Sequence, residues 1–179
     1  MNSLDRIQKI IKVFKILTNI AMIFAYVCAG LLLVTAILMA NNSSYQIIAD
    51  SAPEMFADID RNKTIAEMLC EFVVCLTDGL LLTFTQLYLK HELEDGTPFT
   101  NKGANEIKGL GIRLIILPLV AIGIISAICA MFNAELPKTM SNELSISFGI
   151  ALIIISIIFR YGAELESKVR ENNDMKQGE

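Results

Sequence analysis

Charge is scarce in this chain, and so are most of the groups that catalysis needs. Charged residues make up 19% of the 179, against about 25% in a typical soluble domain. The one histidine, His91, stands beside Lys90 and Glu92 at the end of an apolar run, and reads as a solvated interface residue. All four cysteines, Cys28, Cys70, Cys75 and Cys129, lie inside apolar runs, where cysteine behaves as a small hydrophobe. Cys70 and Cys75 are five apart and point to different sides of a helix, with no histidine nearby; neither a metal site nor a disulfide is expected. No nucleophile-elbow, zinc-protease or Walker pattern occurs. Gly109-Leu110-Gly111 lacks the preceding strand and the later acidic residue of a dinucleotide loop. The sequence therefore points to no catalytic residue, metal or cofactor, and a non-enzymatic protein is expected. A net charge of −4, with no basic face carrying interleaved aromatics, argues against direct nucleic-acid binding.

Apolar surface is what the chain has in abundance. Hydrophobic residues reach 54%, mean hydropathy is +0.53, and the charges crowd into short stretches between four long apolar runs. The runs cover about 16–40, 65–89, 114–132 and 144–159, each near the ~20 residues that cross a hydrocarbon core of about 30 Å. Before the first run, Leu4, Ile7, Ile10, Ile11 and Phe14 recur at helical spacing among Arg6, Lys9, Lys12 and Lys15. That predicts an amphipathic helix over 1–15, lying on the membrane surface before the chain turns inward. The first run is too long for a signal-peptide core, and Leu38-Met39-Ala40 makes a poor cleavage site, so it is read as a span. Asp95-Gly96-Thr97-Pro98 predicts a turn, with Thr100 or Asn101 capping a short helix before the third run. Pro118 is expected to kink that run near its start, and residues 160–179 form a polar tail. The fold class expected is an all-α, integral membrane four-helix bundle in a single domain.

Its orientation follows from the cations. Twelve of the fifteen lysines and arginines lie before span one, between spans two and three, or after span four; only Arg61, Lys63 and Lys138 lie in the other two loops. The positive-inside rule then places both termini and the middle loop in the cytoplasm. The Asn-x-Ser/Thr matches at Asn41, Asn42 and Asn62 fall on the outer side, where they matter only in a host that glycosylates.

One feature of the spans is costly. Glu67, Glu71 and Asp78 share a face of span two at spacings of four and seven, and the eleven residues from first to last cover about 16 Å. An ionised aspartate at a helix centre costs at least about 2.5–3.5 kcal/mol, yet the apolar parts of the other spans hold no lysine, arginine or histidine. Four accounts of the Asp78 charge stay open: protonation, hydrogen bonds from hydroxyls such as Thr35 or Ser126, neutralisation by a cation, or pairing with a residue of another chain. The plainest reading of its role is packing in a small polar gap beside Gly79, with a cation or proton site or a contact with another membrane protein as the others. Glu67 can also pair with Lys63 one turn earlier. Small residues repeat every four positions at Ala21, Ala25 and Ala29, at Gly123 and Ala127, and at Ser145 and Gly149, a spacing that lets membrane helices approach closely.

Gly96-Thr97-Pro98-Phe99-Thr100, followed by Ile107-Lys108-Gly109-Leu110-Gly111, resembles the middle-loop signature of a bacterial family of small four-span membrane proteins catalogued as a domain of unknown function. Phe159-Arg160-Tyr161-Gly162, leading into Ala163-Glu164-Leu165-Glu166, is similar to the pattern with which members close. The far end differs: members often finish in an acidic stretch and Thr-Val or Thr-Leu, where this chain reads Glu171-Asn172-Asn173-Asp174-Met175. The resemblance implies a bacterial cytoplasmic membrane and no catalytic residues. Because members are often encoded beside small helix-turn-helix regulators, it also implies a regulatory partnership.

The expected function is that of a membrane accessory or regulatory protein acting through a partner. That partner is a cytoplasmic regulator or another membrane protein, met by 6–15, 90–113 and 160–179; a homo-oligomer is compatible with the sequence. A small transporter or cation- or proton-conducting protein using Asp78, Glu71 and Glu67 is the first alternative. Protection against membrane-active peptides is the second.

Overall fold

The computed structural model describes residues 3–51, 60–95, 101–135 and 143–177, and apart from residues 41, 60 and 133–135 these are helical, with no strand among them. The helices are α1 (Ser3–Ala40), α2 (Asn42–Ser51), α3 (Arg61–Asp95), α4 (Asn101–Phe132) and α5 (Glu143–Gln177). Their length corrects two expectations and gives the third element, the polar tail, a helical form. No turn separates the amphipathic segment from the first apolar run: α1 is one helix of 38 residues, about 57 Å long. The short helix expected before the third run is instead the first part of α4, which continues through Pro118 to Phe132. The polar tail extends α5 to Gln177, with Gly162 inside it. The reason is local. Each added residue contributes one backbone hydrogen bond, so a change from amphipathic to apolar composition does not stop a helix; a breaker does, and α1 has no glycine or proline before Gly30.

Helix ends follow ordinary capping chemistry. Asp60 starts α3: its carboxylate accepts the Asn62 N–H at 3.1 Å and its carbonyl accepts the Thr64 N–H at 2.9 Å, as expected of an aspartate N-cap. At the other end of α4, Asn133 takes the left-handed conformation, φ 52°, and the Ala134 N–H reaches back to the Cys129 carbonyl at 2.9 Å. That is the Schellman closure, which favours glycine or asparagine at this position. Asn133→Gly is expected to leave thermal unfolding unchanged or slightly raised, and Asn133→Val to lower stability by about 1–2 kcal/mol; equal melting of the two variants would refute the cap.

The chain forms two compact units. One gathers the described residues of 1–19, 83–116 and 142–179, the other those of 20–82 and 117–141. In the first, α4 and α5 touch backbone to backbone. A Cβ built on Gly111 would lie 2.8 Å from the Gly149 carbonyl oxygen, and one on Gly149 only 2.6 Å from Ile115 Cγ1. Gly111 is thus a helix-crossing residue rather than part of a loop. Nearby Ala104, Ile107 and Leu110 are buried, and Gln86 of α3 donates to Asn19 Oδ1 of α1 at 2.9 Å.

The second unit centres on Cys70 and Val73 of α3 packed with Ala121, Ile125 and Cys129 of α4. Ile125 is fully buried, at 0% exposure, and the Cys70 and Cys129 sulfurs are 3.8 Å apart. The Tyr26 ring of α1 covers Gly79 of α3, 3.0 Å from where a Cβ would be. Of the repeated small residues, Ala29 is buried with Ala36, whereas Gly123 and Ala127 face outward.

Much apolar surface remains uncovered. On α1, Ile16, Leu17, Ile20, Phe24, Leu31 and Ile37 are exposed, Phe24 by 70%; α4 adds Ile116, Leu119 and Val120, and α5 adds Ile154, Ile157 and Ile158. Contiguous apolar area of this kind marks a surface that meets lipid or another protein. Among the described residues three stretches are long and apolar enough to cross a membrane: Gln8–Ala40, Lys102–Phe132 and Ser147–Leu165. These are compatible with a membrane protein. The second expected span, α3, is outside that set, and it is the helix that carries Glu67, Glu71 and Asp78.

Candidate functional site

Two places carry unusual polar chemistry, one in each unit. The first is a face of α3. Because α3 runs unbroken from Arg61 to Asp95, Glu67, Glu71 and Asp78 are held on one side of it, and all three are exposed. Among the described residues none of the three makes a side-chain hydrogen bond or ion pair. Thr35 does not reach Asp78: its hydroxyl donates to the carbonyls of Leu31 and Leu32 in its own helix, at 3.0 and 2.9 Å. Ser126 is exposed on α4. Gly79, next to Asp78, takes the buried position under Tyr26, while Asp78 as a residue is exposed. The three side chains supply only acceptors when ionised. Such a face suits a partner that brings donors or positive charge, and no group of three potential metal ligands exists among the described residues.

The first turn of α3 is tied down beside this face. Arg61 Nε donates to the Met39 carbonyl at 2.7 Å, and its terminal nitrogens donate to the Ala40 carbonyl at 2.6 Å and to Asn42 Oδ1. Its guanidinium also lies 4.9 Å from the Tyr45 ring centroid. One side chain therefore satisfies carbonyls that the end of α1 leaves without an intrahelical donor. In sequence Arg61 looks like one of three stray cations on the sparsely charged side; only the fold shows what it caps.

The second place is a groove of about 510 Å³ between α3 and α4. From α3 come Phe84, Tyr88 and His91; from α4 come Lys102, Asn105, Glu106 and Arg113. With Gly109 between them, Lys102, Asn105 and Arg113 recur at spacings of three, four and four, so they line one face. His91 corrects the expectation of a merely solvated side chain: Nδ1 is 2.9 Å from Glu106 Oε1, and both groups are partly covered. The Arg113 guanidinium stacks over Phe84, 4.3 Å from its centroid, within the range of a cation–π contact. Arg113 has no carboxylate partner among the described residues. The groove escapes a reading that breaks the chain after a short helix, because the register from Lys102 to Arg113 is lost at the supposed break. The 3-4-4 spacing of Lys102, Asn105, Gly109 and Arg113 is the signal that could have found it.

The remaining expected positions divide simply. Gly96, Pro98 and Phe99 lie outside the described residues. Phe159, Arg160 and Gly162 lie within α5, where Arg160 Nε is 3.5 Å from Glu164 one turn on, an exposed pair worth a few tenths of a kcal/mol, ~0.3–0.5. Compared with protein-family models, with curated proteins and with solved structures, the chain matches none.

Proposed function

We propose that this chain is a non-enzymatic protein of the bacterial cytoplasmic membrane, a four-span helical bundle with both ends inside, that acts as an accessory or regulator by binding another membrane protein. The observation that carries the reading is the outward-facing row of Glu67, Glu71 and Asp78 on α3. Three carboxylates on an exposed face, in a chain otherwise rich in exposed apolar side chains, make sense where a second polypeptide supplies donors.

Support for α3 as the fourth span comes from its neighbours. Arg61 at its start bonds to the end of α1, and Gln86 in its last third bonds to Asn19, near the middle of α1. Twenty-five residues separate Arg61 from Gln86, about 37 Å of helix, more than the ~30 Å of a bilayer core. The uneven lysine and arginine distribution supports the orientation, and the resemblance to the bacterial four-span family supports the location. The cytoplasmic stretches 6–15, 90–113 and 160–179 then offer a second surface, suited to a soluble regulator. The outward direction of the acidic row also bears on the conducting alternative: one copy does not enclose it, so a conduction path would require several.

A photo-crosslinking amino acid at Val74, which shares the acidic face and is 40% exposed, is expected to give one discrete adduct in intact cells. The same probe at Phe24 on α1 should give lipid adducts instead. Glu71→Gln with Asp78→Asn should weaken the Val74 adduct roughly tenfold, the loss expected for one or two charge-assisted hydrogen bonds, while the amount of protein in the membrane stays constant. An adduct indifferent to those substitutions sinks the proposal. Proton or cation flux in liposomes that Asp78→Asn abolishes would replace it with the conducting reading.

A further inference from the structure

The groove between α3 and α4 is not used by the acidic face, and its chemistry is of the opposite sign. Lys102 and Arg113 stand at its two ends, eleven residues apart and so about 16 Å along the helix. Glu106, the acid on its wall, faces His91 at 2.9 Å, so its acceptor is already engaged within the groove. Between the cations the lining turns apolar, with Phe84, Leu87 and Leu110. The polarity is ordered along α4. Lys102 and Asn105 belong to its first turns, whereas Arg113 is the last charged residue before the uncharged run 114–132, and Ile112 and Ile116 beside it are exposed apolar side chains.

That order is the order of a phospholipid at the edge of a bilayer: polar headgroup, phosphate, then hydrocarbon. Basic pockets between spanning helices on the cytoplasmic side bind anionic headgroups for this reason. Arginine stacked on an aromatic ring keeps its outer N–H groups for a phosphate, which it can take by two parallel hydrogen bonds. A soluble phosphate would use the cations equally well but would leave the exposed apolar side chains of Ile112 and Ile116 beside Arg113 without a role.

We propose that this groove holds one anionic phospholipid of the cytoplasmic leaflet, with Arg113 on the phosphodiester, Asn105 and Lys102 on the headgroup, and the exposed Ile112 and Ile116 at the start of the apolar run against the first carbons of the acyl chains. The proposal rests on the membrane reading. That reading has its own check, because a chain released from membranes by alkaline carbonate would fail it whatever the groove binds.

The chain contains no tryptophan, so Leu87→Trp places a single fluorescent reporter in the groove wall. The full-length variant in neutral detergent is titrated with dibrominated phosphatidylglycerol and, separately, dibrominated phosphatidylcholine. Quenching by the anionic lipid is expected at a roughly tenfold lower concentration, the preference that two nearby cations supply. Arg113→Gln with Lys102→Gln should abolish the difference, whereas Lys90→Gln with Lys108→Gln, outside the groove, should keep it. If the double groove variant fails to fold, Lys102→Gln alone is expected to reduce the preference about threefold. Equal quenching by the two lipids overturns the proposal, and so does a preference that survives loss of the groove cations. Displacement of the brominated lipid by millimolar glycerol phosphate would overturn the lipid assignment in favour of a water-borne phosphate.

Discussion

Gly149→Val is expected to part α5 from α4 and to leave a protein that unfolds in detergent under conditions where the native chain is intact. The Cβ alone would come within 2.6 Å of Ile115 Cγ1 and 2.8 Å of the Gly111 carbonyl oxygen. A side-chain methyl can turn away, but a backbone carbonyl inside a helix moves only if the helix moves. The contact between two backbones then opens, and with it the close packing that holds helices together where no hydrophobic drive acts between them. Overpacking of this kind costs about 1–3 kcal/mol when the surroundings can yield, so about 3 kcal/mol or more is expected here. Gly111→Val meets the same obstacle from the other side, 2.8 Å from the Gly149 carbonyl. The informative control lies in the same helix: a Cβ on Gly109 or Gly123 meets nothing within 4 Å. Gly109→Ala and Gly123→Ala should therefore be neutral or more stable by up to about 1 kcal/mol, from helix propensity alone. Helicity followed by circular dichroism through a denaturing-detergent titration reads all four. If Gly149→Val and Gly123→Ala unfold together, the crossing is wrongly placed.

Arg61→Ala should be nearly as damaging, for a different reason. It removes the donors to the Met39 and Ala40 carbonyls and to Asn42 Oδ1, and it leaves the last turn of α1 with acceptors that no backbone N–H can reach. A hydrogen bond from a charged donor contributes about 1.5–3 kcal/mol. The clamp is only part-buried, and water takes over some of what is lost, so a net loss of about 2–3 kcal/mol is expected. Arg61→Lys should recover less than half of it, because one ammonium cannot span three acceptors that a planar fork holds at once. Limited proteolysis after Ala40 should accelerate in Arg61→Ala by roughly the factor that this energy implies, on the order of thirtyfold to a hundredfold. Full rescue by lysine would show that a bare positive charge near the helix end is enough, through its dipole, and that the geometry of the clamp is irrelevant.

What could be read along the chain and what could not divide at the point where one helix meets another. Helix formation, the apolar runs and the segregation of charge are local, or depend on composition, and all stand in the residue order. The shared face of Glu67, Glu71 and Asp78 is likewise simple arithmetic on 3.6 residues per turn. The expected breaks after residue 15 and before residue 114 were misplaced because they assumed that a change of solvent must interrupt the backbone, whereas helix hydrogen bonds run only between residues four apart. Which way a face points is another matter. Spacing alone cannot say that the acidic row turns outward, that Gly123 and Ala127 are exposed while Gly111 and Gly149 meet each other, or that Cys70 lies beside Cys129. Nor can it bring His91 to Glu106 or Arg61 to the end of α1. Each of these depends on the rotation and height at which one rigid cylinder sits against its neighbour. Contacts between residues distant in sequence settle that rotation together, so no single segment contains it.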